Sequence, residues 1–512
     1  MSKGALSPDV KVLVVGAGAM GSGIAQVAAL AGHPVCLYDT RAGAAEQGAA
    51  GIAAALDKLA AKGRLSAEAA QAAVARVRPV VQLAEARDAG LVVEAIVEQL
   101  DIKRALFAEL ESLLAEDAIL ASNTSSLSIT ALAAPLSRPE RVAGLHFFNP
   151  APVMKLVEIV SGLATDPAVA DTLHATARAW GKVAVHAKST PGFIVNRVAR
   201  PYYAEALRVL GEGAADAATL DAVLREACGF PMGPFELMDL IGHDVNFAVT
   251  SSVFDAYFQD KRFTPSLIQQ ELVLAGRLGR KSGRGFYDYA PGTERPLPAT
   301  EPVQAAERSV AVVGDLGVAA ALIARLEAAG VAVQRRHGQE GHGAGWLEIG
   351  GARLALSDGR TATRRAAEEG VPNLVLFDVC LDYAATPRLA LAMADQCGQG
   401  AWRAVVGTLQ AAGMAVSRLD DVAGLLGLRT VAMLANEAAD AVLAGIGSAA
   451  DIDTAMRYGT NYPKGPLAWA DELGVGLLTR ALGHLGAHYF DTRYRISPLL
   501  QRKALTGARF HE

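Results

Sequence analysis

Residues 10–15 (VKVLVV) form a short run that is apolar and β-branched at nearly every position, the pattern of a strand buried on both faces. A glycine-rich turn, GAGAMG, follows at once. IAQVAALAG then predicts a helix ending at Gly32, and VCLYD predicts a second strand ending in Asp39. Further apolar runs, LVVEAIVE (91–98), AILAS (118–122) and VAGLHF (142–147), are separated by helical patterns such as DIKRALFAELESLL. Strand and helix alternate in this way over about two hundred residues, which predicts a doubly wound parallel sheet of the Rossmann type. Ligands of such sheets sit at the carboxyl ends of the strands, where SNTSS (122–126) and His146 fall.

Beyond residue 190 the pattern changes to helix. TPGFIVNRV (190–198) starts the helical stretch, GFPMGPFELMD (229–239) starts another of its helices, and GRKSGRGFYDY (279–289) closes it. Met232 and Phe235 are candidates for lining an acyl pocket. Residues 289–309 are rich in Pro, Thr and Glu and read as a linker. VAVVGDLGVAAALIARLEAAGVAVQ (310–334) is again strand, glycine turn, helix and strand, and NLVLFDVCLD (373–382) is a further strand candidate. The turn keeps Gly314 and Gly317 but places Asp315 between them, and an acid there opposes pyrophosphate binding. This is a reduced Rossmann-like domain expected not to hold a dinucleotide.

The C-terminal part repeats the helical stretch. AGLLGLRT (423–430) echoes PGFIVNRV (191–198) at an offset of 232 residues, which also aligns Arg197 with Arg429, Glu205 with Glu437, Asp221 with Asp453, and Pro231, Gly233 and Pro234 with Pro463, Gly465 and Pro466. Asn196 has Leu428 as its counterpart, so the second copy keeps packing signals and loses a candidate chemical one. The expected architecture is α/β: a Rossmann domain (1–190), an all-α domain (191–290), a linker (291–308), a degenerate Rossmann-like domain (309–422) and a second helical copy (423–512).

Composition narrows the function classes. Of 512 residues 51% are apolar and 20% charged, as in a globular chain with large cores. A net charge of −5 provides no basic field for nucleic acid. Cys36, Cys228, Cys380 and Cys397 have neither metal-type spacing nor a disulfide framework, so they read as buried thiols of a reducing compartment. The N-terminus lacks an apolar signal core, GARFHE at the end is no familiar targeting signal, and the long apolar stretch after Gly16 belongs to the glycine turn and its helix. The expectation is a cytoplasmic enzyme with no membrane and no nucleic-acid partner.

The first glycine turn carries specific chemistry. A lone GxGxxG arises by chance in Ala/Gly-rich helices. Here it joins a strand to a helix, with an acid at the end of the next strand. Gly16 permits the tight turn, Gly18 lets the backbone approach a pyrophosphate, and Gly21 lets the helix pack on the strand. Ala19 and Met20 complete the turn, whose helix end presents free N–H groups to phosphates. Asp39 suits the ribose hydroxyls and repels a 2′-phosphate, which favours NAD over NADP, with Arg41 nearby as a countersign.

LHFFNPAPVMKLVE (145–158) places a histidine and a glutamate at the two ends of a proline-containing segment. Taken alone it fits an ordinary strand histidine and a surface glutamate. Together with GAGAMGSGIAQ, VVEAIVE, SNTSSLSIT, GLHFFNPAPVMKLVEIV, TPGFIVNRV, GFPMGPFELMDLIG and GRKSGRGFYDY, however, it resembles the L-3-hydroxyacyl-CoA dehydrogenases, in order, from residue 8 to residue 290. The resemblance implies that His146 is the catalytic base and Glu158 its partner. Ser125 and Asn196 would hydrogen-bond near the substrate oxygen, with Ser125 also near cofactor and CoA. Asn149 would hold the His146 region and the nicotinamide. Glu98, Lys103 and Lys281 match cofactor positions, and Lys62 and Lys103 would lie near CoA. Some relatives carry a CoA-contacting serine before Lys62 where this chain has Ala55, which weakens the CoA assignment.

Elementary chemistry agrees. Oxidising a secondary alcohol removes a hydroxyl proton as a hydride leaves the same carbon. A histidine backed by a carboxylate is a base suited to neutral pH, and Ser and Asn steady the oxygen without adding charge. The chain is expected to turn at the proline pair and return along a neighbouring strand, bringing His146 and Glu158 face to face. The extended architecture resembles bacterial family members of phenylacetate degradation, which implies 3-hydroxyadipyl-CoA or 3-hydroxybutyryl-CoA as substrate. Alternatives are a dehydrogenase of a free hydroxy or sugar acid, and a non-catalytic NAD-binding protein. No hydratase or thiolase region is visible. Family members pair through the helical domain, which implies either a homo-oligomer or an intrachain pseudo-dimer of the two helical copies.

Overall fold

The computed structural model describes residues 4–337 and 345–511. The chain divides into two compact units, residues 1–197 with 444–460, and residues 198–443 with 461–512.

The first unit is built on β1 (Val12–Val15), β2 (Val35–Tyr38), β3 (Val77–Val80), β4 (Leu91–Glu94), β5 (Ile119–Ser122), β6 (Val142–Phe147), β7 (Leu156–Ser161) and β8 (Val183–Lys188), in the spatial order β3-β2-β1-β4-β5-β6-β7-β8. β1 and β4–β6 are buried at every residue, which explains their unbroken apolar runs. Helices Ala19–Leu30, Ala44–Ala61 and Ala67–Arg76 pack against the β1 half of the sheet, and their small residues allow a close approach. The expectation of a parallel sheet holds through β6 and then changes: β7 runs antiparallel to β6, and β8 parallel to β7. The segment between β6 and β7 is too short for a crossover helix, so the chain can only reverse.

The second unit carries β9 (Ser309–Val313), β10 (Ala332–Arg336), β11 (Trp346–Ile349), β12 (Ala352–Leu356), β13 (Leu374–Phe377), β14 (Arg388–Met393) and β15 (Ala415–Arg418), ordered β10-β9-β11-β12-β13-β14-β15. The repeat reaches further back than the helical motifs indicate. The 232-residue offset relates β6 to β13, β7 to β14, the start of β8 to that of β15, and helix Pro167–Ala179 to helix Gln399–Ala411. Backbone follows sequence: Phe193 and Leu425 take φ of 47° and 52°, and Phe258 and Phe490 take 52° and 50°.

The two helical copies pack together inside the second unit, with helix Arg200–Gly211 against helix Gly427–Leu443. Buried cations bind across this seam: Arg429 reaches Glu205 at 2.8 Å and Glu212 at 2.9 Å, and Arg262 reaches Glu437 at 3.0 Å. The second copy is not one body. Residues 444–460 leave it and join the first unit, where helix Ala449–Gly459 packs on β7 and β8 and Lys188 N–H donates to Ile446 O at 2.8 Å.

The segment read as a linker is strapped down. Glu301 N–H donates to Val416 O, Gln304 N–H to the Gln410 side chain, and Trp402 Nε1 to Glu301. Its prolines keep it extended, and side chains of the helix beneath complete its hydrogen bonding. All four cysteines are buried. Among the described residues no helix is long and apolar enough to cross a membrane, and no cluster of His, Cys, Asp and Glu could hold a metal ion.

Candidate active site

The glycine turn lies between β1 and helix Ala19–Leu30. Gly16 has φ +104°, and a Cβ there would stand 2.5 Å from Ala95 O, at the end of the adjacent β4. A Cβ on Gly21 would stand 1.7 Å from Gly16 O. Gly18 is different, with nothing within 4 Å of its Cβ direction. It is also the N-cap of the helix and makes no side-chain cap bond, so the first N–H groups at Ala19 and Met20 face open space. An anion meets a backbone there with no side chain in the way.

Asp39, just past β2, accepts the Ala17 N–H at 2.8 Å and is bracketed by Arg41. Burial acts to raise its pKa, but the Arg41 hydrogen bond and the Ala17 and Arg41 N–H groups outweigh burial and hold the carboxyl below its ordinary value. A cavity of 410 Å³ opens here, lined by Gly18, Ser22, Arg41, Gly48 and Pro152 among others. These residues fit a dinucleotide: open backbone for the pyrophosphate and an ionised acid for the ribose.

His146 in β6 and Glu158 in β7 are direct cross-strand partners. His146 Nδ1 lies 2.7 Å from Glu158 Oε2. The other oxygen, Oε1, accepts the N–H groups of Ile194 and Val195 at 3.0 Å each. Glu158 is fully buried, so all its hydrogen bonding is met by protein. A carboxylate only accepts, so Nδ1 carries a proton, and in the neutral ring the lone pair is then on Nε2. Phe148 and Phe193 pack against the ring at centroid distances of 4.6 and 5.7 Å.

The intervening loop is pinned. Lys182 Nζ donates to Ala151 O at 2.5 Å and Met154 O at 2.8 Å, and burial lowers its pKa to about 8. The loop also rests on the nucleotide helix: a Cβ on Gly23 would meet Pro152 at 3.0 Å and Ala151 at 3.2 Å.

A second polar network stands at the ends of β4 and β5. Buried Lys103 pairs with Glu94 at 2.6 Å and Glu98 at 3.1 Å, and Ser122 donates to Glu94 at 2.6 Å. Glu98 accepts from the Thr124 hydroxyl, from the Ser125 N–H and from the Ser126 N–H and hydroxyl, and so sets the shape of the SNTSS turn. Burial acts to raise the Glu98 pKa. The Thr124 bond, the Lys103 charge and the Ser126 bond overcome it and leave the pKa below the ordinary value. The Ser125 side chain is exposed, and no partner among the described residues holds its hydroxyl.

The other sequence-predicted residues have defined places. Lys103 is 1% exposed and paired with two carboxylates, Glu94 and Glu98. The strand end beside His146 is held by Asn123, whose Oδ1 accepts the Phe147 N–H at 2.8 Å. Phe235 is fully buried against Phe286 and lines no cavity described for this unit. Lys281 belongs to the second unit and pairs with Asp244. Lys62 is exposed at the end of helix Ala44–Ala61, with Ala55 about two turns before it. Asn196 is half-buried and directly follows the two N–H groups that bind Glu158. Sequence reading missed Glu94, Asn123 and Lys182. The acid ending β4 and the asparagine after β5 stand where such sheets bind ligands, which was the available signal.

Residues 11–190 match the NAD binding domain of 3-hydroxyacyl-CoA dehydrogenase, and residues 192–289 and 424–509 each match its C-terminal domain. Residues 354–422 match the 3-hydroxybutyryl-CoA dehydrogenase reduced Rossmann-fold domain. The chain is 47% identical to a 3-hydroxyadipyl-CoA dehydrogenase of Escherichia coli over 96% of its own length and 97% of the relative's. A crystal structure of 3-hydroxybutyryl-CoA dehydrogenase from Escherichia coli K12 superposes with a TM-score of 0.88 at 45% identity, covering 98% of this chain and 99% of that one. A 3-hydroxybutyryl-CoA dehydrogenase of Clostridioides difficile is 40% identical over 55% of this chain and 99% of its own.

Proposed function

The chain belongs to the 3-hydroxyacyl-CoA dehydrogenase family and is an NAD-dependent enzyme of that kind, and on that premise we propose that His146 is the general base that oxidises an (S)-3-hydroxyacyl-CoA to the 3-oxoacyl-CoA. The observation that carries this reading is the buried 2.7 Å contact between His146 Nδ1 and Glu158 Oε2, which leaves Nε2 able to take a proton. As the hydroxyl proton moves to Nε2, the ring becomes cationic and Glu158 stabilises it in a site of low dielectric. The free hydroxyl of Ser125 and the Asn196 amide hold the substrate oxygen. NAD, when bound, would supply the acceptor for the hydride that leaves the same carbon.

Gly16, Gly18, Ala19, Met20 and Gly21 would hold the pyrophosphate and Asp39 the ribose. Glu98 acts on the cofactor and substrate sides through the turn that carries Ser125, and Lys103 acts through Glu98. Lys62 is the exposed cation suited to CoA phosphate. The roles of Asn149 and Lys281 rest on the resemblance alone. The substrate we favour is 3-hydroxyadipyl-CoA, with 3-hydroxybutyryl-CoA second, on the strength of the near full-length likeness to the Escherichia coli 3-hydroxyadipyl-CoA dehydrogenase. The setting we favour is cytoplasmic phenylacetate breakdown, with the two helical copies standing in for a dimer partner.

The test is NADH absorbance with NAD and a panel of (S)-3-hydroxyacyl-CoA esters, on the wild type and His146→Ala. Turnover that disappears in the variant supports the assignment. Turnover that persists at the wild-type rate overturns it.

A further inference from the structure

Of the buried arginines in the second unit, four are bound to carboxylates: Arg262 to Asp260, Glu437 and Asp440, Arg365 to Glu369, Arg388 to Glu226, and Arg429 to Glu205 and Glu212. That is the usual condition of a buried guanidinium, since an uncompensated charge in a protein interior is strongly destabilising. Arg200 departs from it. It is 6% exposed, and among the described residues no carboxylate pairs with it. Among the described residues its one side-chain hydrogen bond is from Nη1 to the Thr250 hydroxyl at 3.1 Å, its Nε is buried with no partner, and it lies over the Tyr203 ring at 4.9 Å. Burial lowers its pKa, with only the Tyr203 and Tyr462 hydroxyls acting the other way.

The repeat supplies an internal control. At the 232-residue offset Arg200 corresponds to Ala432, Tyr203 to Ala435 and Thr250 to Leu482, all fully buried. The second copy builds the same helix from alanines. The packing of this helix therefore does not require an arginine, whereas Glu205 and Glu437, which bind cations across the seam, are kept in both copies.

Arg200 faces a cavity of 680 Å³ formed entirely within the second unit. Leu207, Phe254 and Ile268 give it apolar wall. Arg208, Lys261 and Arg493 add positive charge, against the single carboxylate of Asp491. Arg208 is engaged by Glu205 and Arg493 by Asp491, which leaves Arg200 as the buried cation without a counterion. The volume suits a small organic molecule. A planar guanidinium with open donors matches a carboxylate two-pronged, better than it matches any neutral group.

We propose that this cavity is a carboxylate-binding site with Arg200 as the receptor. The ligand is a short aliphatic carboxylate whose chain lies on Leu207, Phe254 and Ile268. Its source is a free carboxylate from solution. The assignment stands independently of the role given to His146.

The experiment uses the full chain, wild type against Arg200→Gln and Arg200→Ala, the latter copying Ala432. Thr250→Val serves as a second variant, which removes the one side chain that orients Arg200. Thermal unfolding is followed with adipate and with the neutral adipamide. In parallel, kcat/KM for the six-carbon dicarboxylic ester is divided by that for the four-carbon ester. We expect adipate, and not adipamide, to raise the wild-type Tm with concentration, and the arginine variants to lose the effect. The kcat/KM ratio is expected to stay at the wild-type value in the arginine variants. Loss of the adipate effect with an unchanged ratio assigns the site to a free carboxylate. If Arg200 holds the fold instead, Arg200→Ala and Thr250→Val lower the ligand-free Tm, while adipate stabilisation and the ratio match wild type, and the proposal is overturned.

Discussion

His146 and Asp378 occupy the same position of two repeated strands, 232 residues apart, one in β6 and one just past β13. Facing His146 is Glu158, whose Oε1 receives the N–H groups of Ile194 and Val195. Facing Asp378 is Ala390, whose carbonyl accepts the Asp378 N–H at 3.0 Å. The Asp378 carboxylate itself takes the N–H groups of Leu426, Gly427 and Leu428, the first two being the counterparts of Ile194 and Val195. Both domains thus need an acid at a helix entry. In the first the acid stands one strand away and has an oxygen left for a histidine. In the second it stands in the histidine's own place, and no base remains.

Replacing either member of the first pair touches both chemistry and folding. His146→Ala should lower kcat by about 10²–10⁴-fold and lower Tm as well, because Glu158 Oε2 loses its buried partner. Glu158→Gln should lower kcat as well and also destabilise by about 1–3 kcal/mol, because an amide cannot accept from both Ile194 and Val195 and from His146 together. Steady-state NADH formation and urea unfolding measure the two effects. A Glu158→Gln enzyme with unchanged stability would contradict the double role.

Asp378→Asn should cost about 1–3 kcal/mol of stability, since an NH₂ would face N–H donors in the place of an acceptor. The midpoint of denaturant unfolding reads this directly, and a variant as stable as wild type would remove Asp378 from its place as the helix anchor.

The glycines of the turn should fail in different ways. Gly21→Ala meets backbone at 1.7 Å and should destabilise by on the order of 3 kcal/mol or more. Gly18→Ala has room in the protein itself, so its Tm should stay near wild type while NAD binding weakens. Tm and an NAD titration on each variant check the contrast, which equal loss of stability in both would refute.

Asp39→Ala removes the acid that meets the ribose and frees Arg41 from its ion pair. The ratio of kcat/KM for NADP over NAD should rise about ten-fold or more. A ratio that does not move would mean that Asp39 does not discriminate the 2′-phosphate.

Lys182 gives a pH dependence of defined sign. Its pKa is about 8 in the folded chain, below the ordinary lysine value of 10.5. Between those values the unfolded chain holds a proton that the native state has released, so stability from this group rises with pH across the window, by at most about 1.4 kcal/mol per pH unit. Below pH 8 both states are protonated and the cost of burying the ammonium is full. Lys182→Met should therefore show a smaller rise between pH 8 and 10.5, while its loss of the bonds to Ala151 and Met154 loosens the loop between His146 and Glu158. Tm against pH for both proteins decides it.

Local sequence alone determined the elements that depend on local physics. Unbroken β-branched runs became the buried strands, the glycine turn became an open helix N-terminus, and the constant offset announced two helical copies. The meeting of His146 with Glu158 was legible because only a short reversal separates them, and a reversal pairs residues symmetrically about its turn. What only the tertiary structure decided depends on partners far away in the chain. Lys103 reads as a surface cation until Glu94 and Glu98 enclose it, and residues 444–460 read as one body with their repeat until β8 binds them. Arg200 looks like any helix arginine beside Arg197. Its lack of a carboxylate emerges only when distant segments close around it, because burial and pairing belong to the packed chain and leave no periodic mark in sequence.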